Sequence, residues 1–171
     1  MQVEHALRMH LAASGVPYRC VDHPACRTSE ESARARSVAG APGAVGAKAL
    51  VVVAKSGFAL LVIPGTCRLD SRKARSVIGK FRFADADEVR AATGGLEIGT
   101  IPPFGRPVLP GIERLVVDDR IGAEADIGFN AGCLTRSIIM SGADYIGIAQ
   151  PTAVTDLTEA LGDVRRAADA A

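Results

Sequence analysis

Apolar and polar positions change rhythm repeatedly along this chain of 171 residues. Val3, Leu7 and Leu11 recur at the spacing of one helix face, and Gly15 follows as a stop, which predicts a helix over Val3–Ser14. Tyr18–Val21 fits a short strand. Thr28 and Glu31 form a capping box, in which a hydroxyl and a carboxylate three residues apart satisfy free amides at a helix start. That helix should run to about Val38 and end in the loop around Pro42 and Gly43. Ala49–Ala54 and Phe58–Ile63 are β-rich runs separated by Lys55-Ser56-Gly57, the pattern of a hairpin. Both runs are apolar without interruption, so both faces of these strands should be covered. Asp70 can cap a helix through Ile78, closed by Gly79. Phe81–Ala84 reads as a strand, and Asp85 with Glu88 as a second capping box for a helix to Thr93.

Beyond this point glycine and proline recur too often for a regular element, from Gly94 to Gly111. Leu115–Val117, Asp126–Phe129 and Arg136–Met140 are three further strands. Ser141 can cap a short helix, and Thr155–Ala168 reads as an alanine-rich terminal helix. Strands fall both in neighbouring pairs and between helices. That order predicts an α/β fold of the α+β type, with a mixed, strongly twisted sheet flanked by helices. Neither a repeat nor a linker is visible, and residues 1–171 have the length of one domain.

Composition narrows the class. Apolar residues make up 48% and charged residues 23%, the balance of a soluble globular protein. With five phenylalanines, two tyrosines and no tryptophan, the core has to be built from Val, Ile, Leu and Ala. The longest apolar runs are far too short to span a bilayer, and no basic segment followed by an apolar stretch lies near Met1. A cytoplasmic protein without a membrane partner is expected. The four cysteines show no CxxC pair, and in a reducing compartment they read as small buried hydrophobes. Cys20, His23 and Cys26 lie close together, but a structural zinc site needs a fourth ligand from a second spaced pair, so no metal site is expected.

The usual catalytic constellations are missing: no GxSxG, P-loop, HExxH or GxGxxG occurs. His5 and His10 fall on the first helix, as solvated side chains. Two features remain. Lys48 directly precedes the strand Ala49–Ala54, where its stem can lie on apolar walls while its ammonium meets a phosphate or carbonyl. Taken alone, a strand-end lysine is ordinarily a solvated charge. The loop Gly95-Leu-Glu-Ile-Gly99-Thr-Ile-Pro-Pro103-Phe-Gly105 couples backbone that can approach a ligand to prolines that stiffen it. It can serve as a rigid connection or present fixed N–H groups to an oxyanion. Across Arg68–Arg82 the cations Arg68, Arg72, Lys73, Arg75, Lys80 and Arg82 face only Asp70, a patch suited to RNA phosphates or to a solvated helix face.

Lys48 before an apolar hairpin, Gly99-Thr-Ile-Pro-Pro103-Phe-Gly105, and Phe129-Asn130-Ala131-Gly132 before the last strand occur in one order. That ordered set resembles the YbaK family, also called the prolyl-tRNA-synthetase-associated editing domain. Pro64-Gly65, Arg68-Leu-Asp70 and the His23-Pro24 turn are similar to the family as well, and the resemblance runs over Pro17–Ile148. It implies a sheet curled into a partly open barrel. It also implies hydrolysis of mischarged aminoacyl-tRNA in trans, without metal or organic cofactor, with tRNA and an aminoacyl-tRNA synthetase as partners. Lys48 and Gly99 would be catalytic, while Thr100, Ile101, Pro102, Pro103, Asn130, Ala131, Gly132 and Ser137 would bind substrate. Arg68, Arg72, Lys73 and Arg75 would take RNA. An aminoacyl ester is already activated, so holding it, stabilising developing charge and admitting water is most of the task. The neighbouring ribose hydroxyl can assist proton transfer, which accounts for the absent histidine base.

The chain departs from the family's specificity patterns. Cysteinyl-specific members carry an aromatic residue at the position of Val21 and Ser and Asp near Asn130 and Ser137. Alanyl-specific members use a late histidine, and here none follows His23. The resemblance therefore carries the reaction type and not the amino acid. A tRNA- or synthetase-binding module without hydrolysis is the alternative reading, and an esterase with a Ser or Cys nucleophile a third.

Overall fold

The expected hairpin is the spine of the sheet. In the computed structural model, which describes residues 2–159, it is formed by β2 (Val45–Ala54) and β3 (Gly57–Pro64), paired from Ala54↔Gly57 to Ala47↔Pro64. Around it lie α1 (Gln2–Ser14), β1 (Arg19–Asp22), α2 (Ser29–Val38), α3 (Ser71–Ile78), β4 (Phe81–Phe83), α4 (Ala86–Thr93), β5 (Arg114–Asp118), α5 (Asp119–Ala123), β6 (Ile127–Asn130), β7 (Arg136–Met140), α6 (Gly142–Ala149) and β8 (Ala153–Thr155). Strand order is β1-β7-β6-β2-β3-β5-β8, with β4 paired to β2 beside this path. The sheet is mixed: β2–β6, β3–β5 and β5–β8 are parallel and the other pairings antiparallel. It does not close, since β1 and β8 are its two ends among the described residues.

Uninterrupted apolar sequence in β3 has the expected cause. Leu60 and Val62 enter one core with β5, α1 and the glycine–proline loop, while Ala59, Leu61 and Ile63 enter a second beneath α3. Both faces are covered, as parallel and central strands require. Helix starts follow their capping signals. Thr28–Glu31 and Asp85–Glu88 both form complete capping boxes, and the Asp70 carboxylate accepts from the amides of Arg72 and Lys73.

Several expectations need correction. Lys48 lies inside β2 rather than before it, because the strand starts at Val45 by pairing in parallel with β6. His10 is not a free solvated side chain: its Nε2 is 3.0 Å from the Ile148 carbonyl and its ring packs edge-on to Phe104. Cys26 and Cys67 are buried, but Cys20 is exposed and Cys133 half-buried. The segment read as the start of a terminal helix holds the end of β8 and a bridge from Thr158 to Leu69, and its remainder lies outside the described residues. Neither α5 nor β8 was expected. None of the described helices is long and apolar enough to cross a membrane.

Candidate active site

The point where β2 passes from β6 to β3 holds a cavity of about 220 Å³. Alternation along β2 and β6 puts Gly46 and Lys48, and Gly128 and Asn130, on shared faces, with Gly46 directly opposite Gly128. These residues form the floor. The roof is α2, which contributes Thr28, Ser29, Ser32 and Arg36. Ile98, Gly99 and Ile101 line it from the glycine–proline loop, and Ile98 is 65% exposed at the rim.

Lys48 is half-buried, and its Nζ donates to the Cys67 carbonyl at 3.2 Å. Burial pushes its pKa below the ordinary lysine value, the Cys67 thiol opposes that, and the nearby Arg68 charge adds to it. An ammonium held this way, half out of water and beside another cation, has strong reason to take up an anion or a developing negative charge.

The loop that carries Gly99 is pinned from below. Ile101, Phe104, Val108 and Leu109 enter the main core, and the fully buried Tyr145 hydroxyl donates to the Pro103 carbonyl at 2.5 Å. Gly99 adopts φ +91°, a conformation that favours glycine. Its carbonyl accepts from Asn130 Nδ2, and its N–H meets no protein acceptor among the described residues. Asn130 in turn has Oδ1 3.4 Å from Ser137 Oγ, and Ser137 lies 2.9 Å from His23 Nε2. The Nδ1 of His23 is 2.8 Å from the Pro24 carbonyl, so Nδ1–H donates there, and the single Ser137 hydroxyl proton serves either His23 Nε2 or Asn130 Oδ1. The Asn130 side chain, half-buried and next to the buried Ser137, holds the Gly99 carbonyl in place.

Lys48, Gly99, Ile101 and Asn130 thus meet around one cavity. Thr100, Pro102, Pro103, Ala131 and Ser137 are buried beside it and do not line it, and Gly132 packs at φ +88° against Glu4 on α1. Among the described residues, no group of three or more His, Cys, Asp or Glu side chains is placed to hold a metal. The basic segment is less free than its sequence implied. Lys73 donates to Asp156 at 2.6 Å and Arg82 to Glu88 at 2.6 Å, so two further acids join Asp70. Arg72 is exposed, Arg75 lies over the Phe81 ring at 5.9 Å, and Arg68 is exposed beside Lys48.

Arg36 escaped the sequence reading, as did Ser32 one turn before it on the same wall. Arg36 is only 3% exposed, lines the cavity, and makes no side-chain hydrogen bond or ion pair with any described residue. Burial lowers its pKa, the Cys26 thiol partly opposing. A signal was present: Ser29, Ser32 and Arg36 share one face of α2, and that helix has no apolar stripe to compete for the inward position.

Comparisons with known proteins give the chain a family. In crystal structures, the chain superposes with a TM-score of 0.75 on a candidate trans-editing enzyme for prolyl tRNA synthetase, at 27% identity over 92% of this chain and 98% of that one. It is 28% identical over 162 residues to a proline–tRNA ligase of Xanthomonas campestris pv. campestris (strain 8004), covering 92% of this chain and 27% of that enzyme. It is 36% identical over 152 residues to the multifunctional Ser/Thr-tRNA deacylase ProXp-y of Escherichia coli (strain K12), covering 84% of this chain and 86% of that protein. Residues 23–148, the stretch that contains every wall of the cavity, match the family model for the aminoacyl-tRNA editing domain, and the chain belongs to that family.

Proposed function

We propose that this chain, acting as one domain, hydrolyses the ester of mischarged aminoacyl-tRNA. The observation that carries the reading is the convergence of Lys48, Gly99 and Asn130 on one cavity in a member of the editing family. Lys48 holds the substrate through an anionic or developing oxyanionic oxygen. The Gly99 N–H, fixed by the loop and by Asn130, is a second donor for the ester oxygen. The ribose hydroxyl next to the ester takes part in proton transfer, so no protein nucleophile is needed. Arg68, Arg72 and Arg75 give the acceptor stem a cationic flank, and Lys73 contributes less because Asp156 already neutralises it. A tRNA substrate fits a cytoplasmic protein, and the likeness to a proline–tRNA ligase supports a synthetase as partner.

The test is a panel of mischarged tRNAs, with loss of ester followed over time. Seryl and threonyl esters head the panel because the E. coli relative is a Ser/Thr-tRNA deacylase. Turnover of at least one ester at catalytic enzyme concentration is expected. Binding of tRNA without ester loss would replace the enzyme by the binding module.

A further inference from the structure

Arg36 is 3% exposed as a residue and its Nε is buried without a protein acceptor, which is costly to fold around, since buried unpaired polar groups are disfavoured. The fold nevertheless makes room for it. Arg36 lies across the Gly46–Gly128 pair, and a Cβ on Gly128 would stand 2.6 Å from its Nε and 2.7 Å from its Cδ. A Cβ on Gly46 would stand 3.0 Å from its Nη2. One turn earlier, Ser32 is 6% exposed, lines the same cavity, and has a hydroxyl with no hydrogen bond among the described residues. Two unused polar groups therefore face one space, and no carboxylate faces Arg36; the titratable group acting on it is the Cys26 thiol.

Depth decides which part of a substrate reaches them. Ile98 is exposed at the rim, Lys48 is half-buried, and Arg36 is almost fully buried over the glycine floor. A charged tRNA enters with its aminoacyl group foremost, because the last phosphodiester lies on the far side of the terminal ribose. The innermost group is then the amino-acid side chain. We propose that Arg36, with Ser32, is the specificity-determining pair of this site, and that it selects aminoacyl groups whose side chain carries an acceptor oxygen, hydroxyl or carboxylate, over apolar isosteres. The selection rests on the deacylase reading above. Its chemistry is that of a site built to hydrogen-bond a substrate oxygen: an analogue without that oxygen leaves the guanidinium buried and unpaired.

The experiment measures kcat/KM of the full chain on threonyl- against valyl-tRNA and seryl- against alanyl-tRNA, with an aspartyl ester as the carboxylate arm. The wild type is expected to favour each oxygen-bearing ester over its isostere by about tenfold or more. Arg36→Met should bring those ratios close to one, and Arg36→Lys should retain part of the preference; thermal melts show that each variant is folded. Preference for aspartyl over threonyl, or the reverse, identifies the oxygen as carboxylate or hydroxyl. Equal loss on all esters in Arg36→Met means that Arg36 anchors phosphate or only the fold, and overturns the proposal, as does an unchanged ratio. Should the methionine variant not fold, the ratio in Arg36→Lys decides: a value equal to wild type overturns it. A wild type inert on every ester removes the deacylase reading, and this one with it.

Discussion

Truncating Lys48 to alanine separates a structural lysine from a catalytic one by magnitude. In the folded protein the side chain contributes one hydrogen bond, from Nζ to the Cys67 carbonyl at 3.2 Å, worth about 1 kcal/mol net. Against that stands the cost of desolvating its charge, which burial imposes and the nearby Arg68 increases. The sign follows from linkage. A lysine whose pKa is lowered on folding opposes folding while protonated, and this penalty fades as pH rises through its folded and then its ordinary value. The two contributions offset each other at neutral pH, so Lys48→Ala should change stability by no more than about 1 kcal/mol, or roughly 2–4 °C in melting temperature for a chain of this size. Loss of a fixed charge at a reacting ester costs on the order of 3 kcal/mol, a hundredfold or more in rate. A thermal melt beside a single-turnover deacylation assay reads both. Near-wild-type melting with at least a hundredfold slower ester loss is expected. Full activity in Lys48→Ala would refute the role given to this residue. The same assay on tRNA ending in 2′- or 3′-deoxyadenosine, where the hydroxyl beside the ester is absent, should show a severe loss. Undiminished turnover there would end substrate assistance and return attention to Cys133 or Ser137 as a nucleophile.

Three other perturbations test separate parts of the structure. Tyr145→Phe leaves the Pro103 carbonyl buried without its donor; a loss of about 1–3 kcal/mol in denaturant unfolding is expected, and a neutral result would show that the loop is not held from below. Arg82 holds Glu88 at a pKa of about 2, so the stabilisation it contributes is present above about 4.5 and fades as pH falls towards 2. Glu88→Gln should accordingly narrow the stability gap between neutral pH and pH 2, and an unaltered acid profile would contradict the pairing. Replacing Arg72 and Arg75 with alanine should weaken tRNA binding and flatten its dependence on salt, whereas a replacement of Lys73, already paired with Asp156, should do so less; equal salt slopes in all variants would assign the segment to solvent.

What the chain discloses before folding divides by the range of the interaction. Capping boxes at Thr28 and Asp85 and the β2–β3 hairpin are local codes, and each lies where its pattern predicts. Lys48 was visible as a cation beside an apolar strand, yet its position inside β2 depends on parallel pairing with β6, some eighty residues away, which no local pattern records. Short elements were lost for the same reason. β8 is three residues long and exists through its pairing with β5, and α5 is a five-residue turn capped by a buried Asp118 whose other oxygen accepts from Leu157. Arg36 was missed on chemistry: a charged residue in a polar helix reads as solvated, and only the opposed glycines of β2 and β6 turn it inward.

The roof of the cavity has a further consequence. α2 turns Ser32 and Arg36 inward and sends no side chain into any of the apolar clusters. Before the helix the Cys26 amide donates to the Leu134 carbonyl, and after it the Ala41 amide closes the last turn on the helix's own Arg36 carbonyl. Between those ends the Arg36 stem packs on the glycine floor, and no side chain of the helix joins it to an apolar cluster. Such an element can lift without exposing core, and local openings of this kind lie at the inexpensive end of a protein's fluctuations. The floor has no such freedom, because β2 carries the hairpin pairing and residues of both main cores. Admission of a bulky nucleotide can then be left to a hinged helix while Lys48 and Asn130 keep their spacing.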